Sequence, residues 1–151
     1  MLEVYERLGK GGEISADEII TLNHDQRTKG RLRATSESGV EVRIFIARGK
    51  PLLVGENLKT LCGKIVRVEG ALENIAHASS EDWLVFSRAC YHLGNRHVKL
   101  QVGERWMRFT LDHVLEEMVH NLGLLVTHEN AVFEPESGAY DKGTHAGHSH
   151  D

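Results

Sequence analysis

The chain has 151 residues, 40% hydrophobic and 26% charged, with a formal net charge of −4, which is material for one ordinary domain or two small ones with real cores. No apolar run approaches the roughly 20 residues needed to span a bilayer. The opening MLEVYERLGKGG lacks the apolar stretch of a signal peptide, so a cytoplasmic, membrane-free protein is expected.

The charge is unevenly spread. Residues 1–76 carry 12 Lys+Arg against 11 Asp+Glu, whereas residues 77–151 carry 6 against 11 and hold nine of the ten histidines. An acidic, histidine-rich half is poorly suited to nucleic acid, whose binding draws on basic residues at phosphates. It is well suited to divalent cations. Cys62 and Cys90 lie far apart with no paired spacing and read as reduced thiols rather than a disulfide framework.

In chain order, the first half reads as β. The arginines of HDQRTKGRLR are taken as a solvated strand face rather than a nucleic-acid patch. From residue 40 to 46 apolar and polar side chains alternate with the period of a half-buried strand, and SESG at 36–39 supplies hairpin-turn chemistry. Two further runs, LLV at 52–54 and IVRVEG at 65–70, are separated by glycine-containing turns, so residues 1–75 are expected to form a small all-β barrel or sandwich. The pattern breaks at NIAHASS, where a domain boundary is expected.

Residues 76–134 alternate element types: strand at 83–86, helix at 87–93, strands at 98–102 and 105–109, helix at 110–122, strand at 124–133. That βαββαβ order predicts a ferredoxin-like α+β domain. In the second helix Thr110 is expected at the N-cap. Leu111, Val114, Leu115, Met118 and Leu122 form the expected buried stripe, and Gly123 closes the end. Residues 135–151, EPESGAYDKGTHAGHSHD without its first letter, carry no periodicity and are expected to be a disordered tail.

Three histidine groups are candidates for metal. CYHLGNRHV at 90–98 holds Cys90, His92 and His97; its helix should end near Leu93, with Gly94 or Asn95 as the cap, leaving His97 exposed just beyond. Cys90 reads as a small buried hydrophobe. HVLEEMVH at 113–120 places His113, Glu116, Glu117 and His120 on one helix face. That face is opposite the apolar stripe, so it is either a solvated surface or the seat of a metalloenzyme. HExxH, GxSxG and a Gly-rich phosphate loop are all missing from the chain. The tail carries His145, His148 and His150. Three imidazoles do nothing for a disordered peptide structurally, and their HxxHxH spacing lets more than one reach a single ion. About 15 residues of tether give a root-mean-square reach on the order of 20 Å, which suits capture and release of a metal better than permanent binding.

CYHLGNRHV, the following LQV, LDHVLEEM and the downstream NLGL resemble the UreE urease accessory protein family. HDQRTKGRLRATSESGVEVRIFIARGKPLLVGENL resembles the same family's N-terminal pattern. The resemblance implies a nickel metallochaperone with no catalytic activity, built from an N-terminal β domain and a C-terminal ferredoxin-like domain that forms a homodimer, with a metal-linked tetramer left open. It implies that His97 meets its symmetry mate across a shared Ni(II) ion, as an isologous interface presents each residue twice. His150, His148 or His145 would then complete the coordination. It also implies a handover to the GTPase UreG and so to apo-urease. Some family members carry an HxH pattern at the second helix; here His113 is kept and Leu111 stands at the first position, which weakens an auxiliary site there. Imidazole also suits Zn(II) and Cu(II), with copper tightest. A metal-dependent enzyme on the second helix and a partner-binding adaptor with incidental histidines are the alternatives.

Overall fold

The computed structural model describes residues 1–137, and the chain forms two compact units, one built on Met1–Ala71 and the other on Leu72–Glu136. The expected disordered tail, with His145, His148 and His150, lies outside the described residues from position 138 onward.

The first unit is one six-stranded, nearly closed sheet. Its elements are β1 (Leu2–Lys10), β2 (Glu18–Leu22), the short α1 (His24–Arg27), β3 (Arg31–Thr35), β4 (Glu41–Phe45), β5 (Glu56–Thr60) and β6 (Ile65–Gly70), in the order β2-β6-β5-β1-β4-β3. β3 and β4 form the expected hairpin, with Arg31 opposite Phe45 and Thr35 opposite Glu41. β1–β4 and β2–β6 are parallel pairs. The turn of the hairpin is tied to the opposite edge of the sheet: the Glu37 N–H donates to the Ile19 carbonyl (2.9 Å) and Ser36 Oγ donates to Glu18 Oε1 (2.6 Å). Val4, Ile20, Leu22, Val42, Ile44, Leu58, Val66 and Val68 fill the interior, each without measurable exposure.

Two sequence expectations are corrected in this unit, and two strands were not foreseen. LLV at 52–54 is a loop that buries Leu52. Pro51 has no N–H to give a ladder, and the neighbouring donors go elsewhere: the Leu52 N–H to the Arg27 carbonyl (2.8 Å) and the Leu53 N–H to Glu56 Oε1 (2.9 Å). β1 and β5 escape the period-2 reading. β1 shifts register twice against β5, and β5 buries Glu56, Asn57 and Thr60. Arg27 is buried rather than solvated, its Nη1 donating to the Leu22 carbonyl at 2.7 Å, while Arg31 and Arg33 are exposed as expected.

The second unit runs β7 (Leu72–Ser79), α2 (Trp83–Asn95), β8 (Gln101–Val102), β9 (Trp106–Thr110), α3 (His113–Asn121), β10 (Leu125–Val132). The order is βαββαβ, and the sheet is arranged β10-β7-β9-β8 with every neighbouring pair antiparallel. NIAHASS is therefore the central strand and not a boundary; its Ala76 and Ala78 are fully buried under the helices with Ala89, Leu93, Leu115 and Val119. Small side chains make this stretch look like a linker, but they are what a strand beneath two helices needs. The run at 83–86 is helical rather than a strand, because Asp82 caps it, Oδ1 accepting from the Leu84 and Val85 N–H groups at 2.8 and 3.3 Å. Beyond β10 the chain stays beside β8: the Glu136 N–H donates to the Leu100 carbonyl at 2.8 Å. Among the described residues no helix is long and apolar enough to cross a membrane.

The first unit hangs its longest loop on one ion pair. Arg7 Nε and Nη2 meet both oxygens of Glu56 at 2.7 Å, and the same guanidinium donates to the Lys50 and Pro51 carbonyls at 2.7 and 3.0 Å. Glu56 is 1% exposed and Arg7 25%. Removing the carboxylate leaves the half-buried guanidinium without its counter-charge and the Leu53 N–H without its acceptor. Glu56→Ala is thus expected to cost about 3 kcal/mol in urea unfolding; a loss under about 1 kcal/mol would mean the pair does not hold this loop.

Candidate metal centre

α2 is closed by a backbone motif and not by its glycine. Gly94 and Asn95, the expected caps, are still helical, and Arg96 takes the C-cap. The His97 N–H then donates to the Gly94 carbonyl (3.0 Å) and the Val98 N–H to the Leu93 carbonyl (3.3 Å). This two-bond closure puts the residue after the cap in the left-handed region, and His97 has φ 57°. α3 ends the same way: the Gly123 N–H donates to the His120 carbonyl and the Leu124 N–H to the Val119 carbonyl, both at 3.0 Å, with Gly123 at φ 110°. At α3 the position holds glycine, as is usual; at α2 it holds histidine, where a Cβ costs roughly 1–2 kcal/mol.

Val98 packs in the core with Leu93, so the motif is anchored and the exposed imidazole projects from a fixed backbone. It also sits at the C-terminal end of a 13-residue helix, where the partial negative charge favours a cation. His92 is exposed on the helix, edge-on to Tyr91 at 5.3 Å. Cys90 is half-buried, and burial pushes its thiol up, which fits the expected small hydrophobe rather than a thiolate ligand.

The second helix starts later than expected. Asp112, not Thr110, is the N-cap, its Oδ1 accepting from the Val114 and Leu115 N–H groups at 2.9 and 3.1 Å. Leu111 precedes the helix and Val114 points outward, so both are exposed; Leu115 and Val119 are the buried positions, with Met118 and Leu122 partly buried. His113, Glu117 and His120 are exposed as the helical spacing requires.

The sequence reading missed what lies across from them. β10 brings His128 to Glu116, with His128 Nε2 2.6 Å from Glu116 Oε1. That contact with His128 holds the Glu116 carboxyl below the usual carboxylate range, helped by the Asp112 N–H. His113, Glu116, Glu117, His120, Val126 and His128 line one open groove of about 420 Å³. Only the strand register could have revealed this, because His128 belongs to no histidine cluster in the sequence. Elsewhere His77 is stacked on Trp106 (ring centroids 5.6 Å apart) and shares Glu129 with Arg108, a packing role. Among the described residues no three donors already converge on one point; His97 and the α3 group are separate, and the structure does not bring them together.

The family model described as "UreE urease accessory protein, N-terminal domain" matches residues 4–71, and the one described as "UreE urease accessory protein, C-terminal domain" matches residues 73–151. Curated relatives named urease accessory protein UreE are similar over nearly the whole chain. The protein from Marinomonas sp. (strain MWYL1) is 61% identical over 150 residues, 99% of each chain. That from Alteromonas mediterranea is 55% identical over 151 residues, 99% of this chain and 95% of its own. That from Psychromonas ingrahamii is 51% identical over 150 residues, 99% and 97%.

The left-handed backbone at position 97 can be tested without metal. His97→Gly relieves the Cβ, whereas His97→Ala keeps it, so the glycine variant is expected to be more stable than the alanine variant by about 1 kcal/mol in thermal or urea unfolding. The opposite order would show that residue 97 carries no such strain.

Proposed function

The chain belongs to the UreE family of urease accessory proteins, and from that premise we propose that it is a cytoplasmic nickel chaperone, an accessory protein and not an enzyme, that holds Ni(II) as cargo between two copies of itself. The order β10-β7-β9-β8 is read as the ferredoxin-like arrangement of a dimerising metal domain. His97 from each protomer supplies an imidazole at the two-fold axis. His150, His148 or His145 closes the coordination from the tail, and His113 is an auxiliary ligand. The ion passes to the GTPase UreG and on to apo-urease.

The observation that carries this reading is the backbone of His97. A histidine in a position that ordinarily takes glycine, at the negative end of a helix, carries the kind of backbone strain that clusters at functional sites. Leu84 and Tyr91, 58% and 66% exposed on the helix that His97 terminates, provide apolar surface for the second protomer to cover. An isologous contact there turns one surface imidazole into a pair. Neutral imidazole accepts nickel, zinc and copper alike, so selection among them rests on coordination geometry and supply. Ligands on a tether exchange one at a time, which lowers the barrier to handing the ion on.

Calorimetric nickel titration of the intact chain, His97→Ala and a chain ending at Gly143, each with its mass in solution, tests the reading. One tight ion per dimer is expected, lost in His97→Ala and weakened by the truncation. Tight binding by His97→Ala equal to that of the intact chain would overturn the axial site.

A further inference from the structure

Leu111 offers no donor two residues before His113, so an auxiliary site at the start of α3 has to find its other ligands elsewhere. The groove between α3 and β10 supplies them. Glu116 lies one turn after His113 on the same helix face, where side chains three apart stand about 5–6 Å from each other at Cβ. His128 comes from β10, its Nε2 already 2.6 Å from Glu116 Oε1.

The two partners differ in freedom. Glu116 is 19% exposed, and its other oxygen, Oε2, accepts from the Asp112 N–H at 3.1 Å, so the carboxylate is held in place. The His128 ring is 60% exposed and has that one contact with Glu116 to break before it turns. A surface His–Glu pair standing alone would be worth little. Here, however, a second imidazole stands one turn away on a shared open groove, and its field reaches the same carboxylate.

We propose that His113, Glu116 and His128 form a second divalent-cation site in each chain, separate from His97. Two imidazoles and a carboxylate, with open positions left to water, make a ligand set for nickel, zinc or copper. The ion takes the place of the proton shared between Glu116 Oε1 and His128 Nε2, and rotation of the exposed His113 brings in the third donor. This completes the auxiliary role given above to His113 and rests on that part of the reading alone; it does not require the His97 pair.

Nickel titration of the full-length chain carrying His97→Ala separates the two. Calorimetry is expected to show one weaker ion per chain rather than one tight ion per dimer. Adding His113→Ala, His128→Ala or Glu116→Gln should weaken that ion at least tenfold, with thermal melting checked in each, whereas adding His120→Ala should change it less than twofold. Residual binding indifferent to both His128→Ala and Glu116→Gln, or no residual ion at all, overturns the site, as does dependence on His120 in place of His113. A tight ion per dimer that survives His97→Ala instead refutes the axial reading and leaves this one to be judged by the His128 and Glu116 variants.

Discussion

A helix that must stop leaves carbonyls without partners, and the way α2 supplies them governs the candidate centre. The His97 and Val98 N–H groups turn back onto Gly94 and Leu93, and the chain can make that reversal only through a left-handed residue. Because Val98 is then drawn into the core beside Leu93, the reversal cannot relax without unpacking apolar surface. The Cα–Cβ bond of residue 97 is therefore aimed by backbone geometry, and the exposed ring turns about it. A ligand carried this way has a fixed root while both ring nitrogens stay open to a metal and to its surroundings.

The first unit solves a different problem. Its sheet is nearly closed, and the loop between β4 and β5 has few backbone partners of its own. Arg7 reaches across to two of the loop's carbonyls while gripping Glu56, and Arg27, itself buried, donates from its guanidinium to the Leu22 carbonyl while its backbone carbonyl takes the Leu52 N–H. Cationic side chains in this half thus serve as internal fasteners as much as surface charge. Nearly balanced charge in the half conceals that division, because composition counts a buried guanidinium and a solvated one alike.

Much of the architecture was legible. The β4 alternation, the SESG turn, the IVRVEG strand, the run of elements from β8 to β10 and the glycine stop of α3 all follow local rules of periodicity and turn chemistry. What escaped notice was set by tertiary contacts. Ala76 and Ala78 look like a linker until two helices lie over them. The bulky 83–86 run looks like a strand until Asp82 is seen to cap it. The N-cap moved from Thr110 to Asp112 because the better acceptor sits two residues on, which exposes Leu111 and turns the stripe toward Val119. The site divides in the same way. The exposure of His97 just beyond a helix was expected, though its candidacy as a ligand came from the family resemblance and its left-handed backbone was not foreseen, whereas the Glu116–His128 contact depends on a strand register that no pattern in the sequence announces.

The pairing of β7 with β10 joins the beginning of the second unit to its end, Leu72 lying opposite Val132. A strand at the middle of the sheet therefore waits for the last segment of its unit to be made before one of its two edges is covered. During synthesis on a ribosome, α2 and the β8–β9 hairpin can assemble from local contacts first, but the sheet closes only after residue 132 has emerged. Long-range closure of this kind slows folding and leaves an open strand edge for the interval. Until β10 is in place, β7 offers one edge of unpaired backbone N–H and C=O groups to any other strand that reaches it.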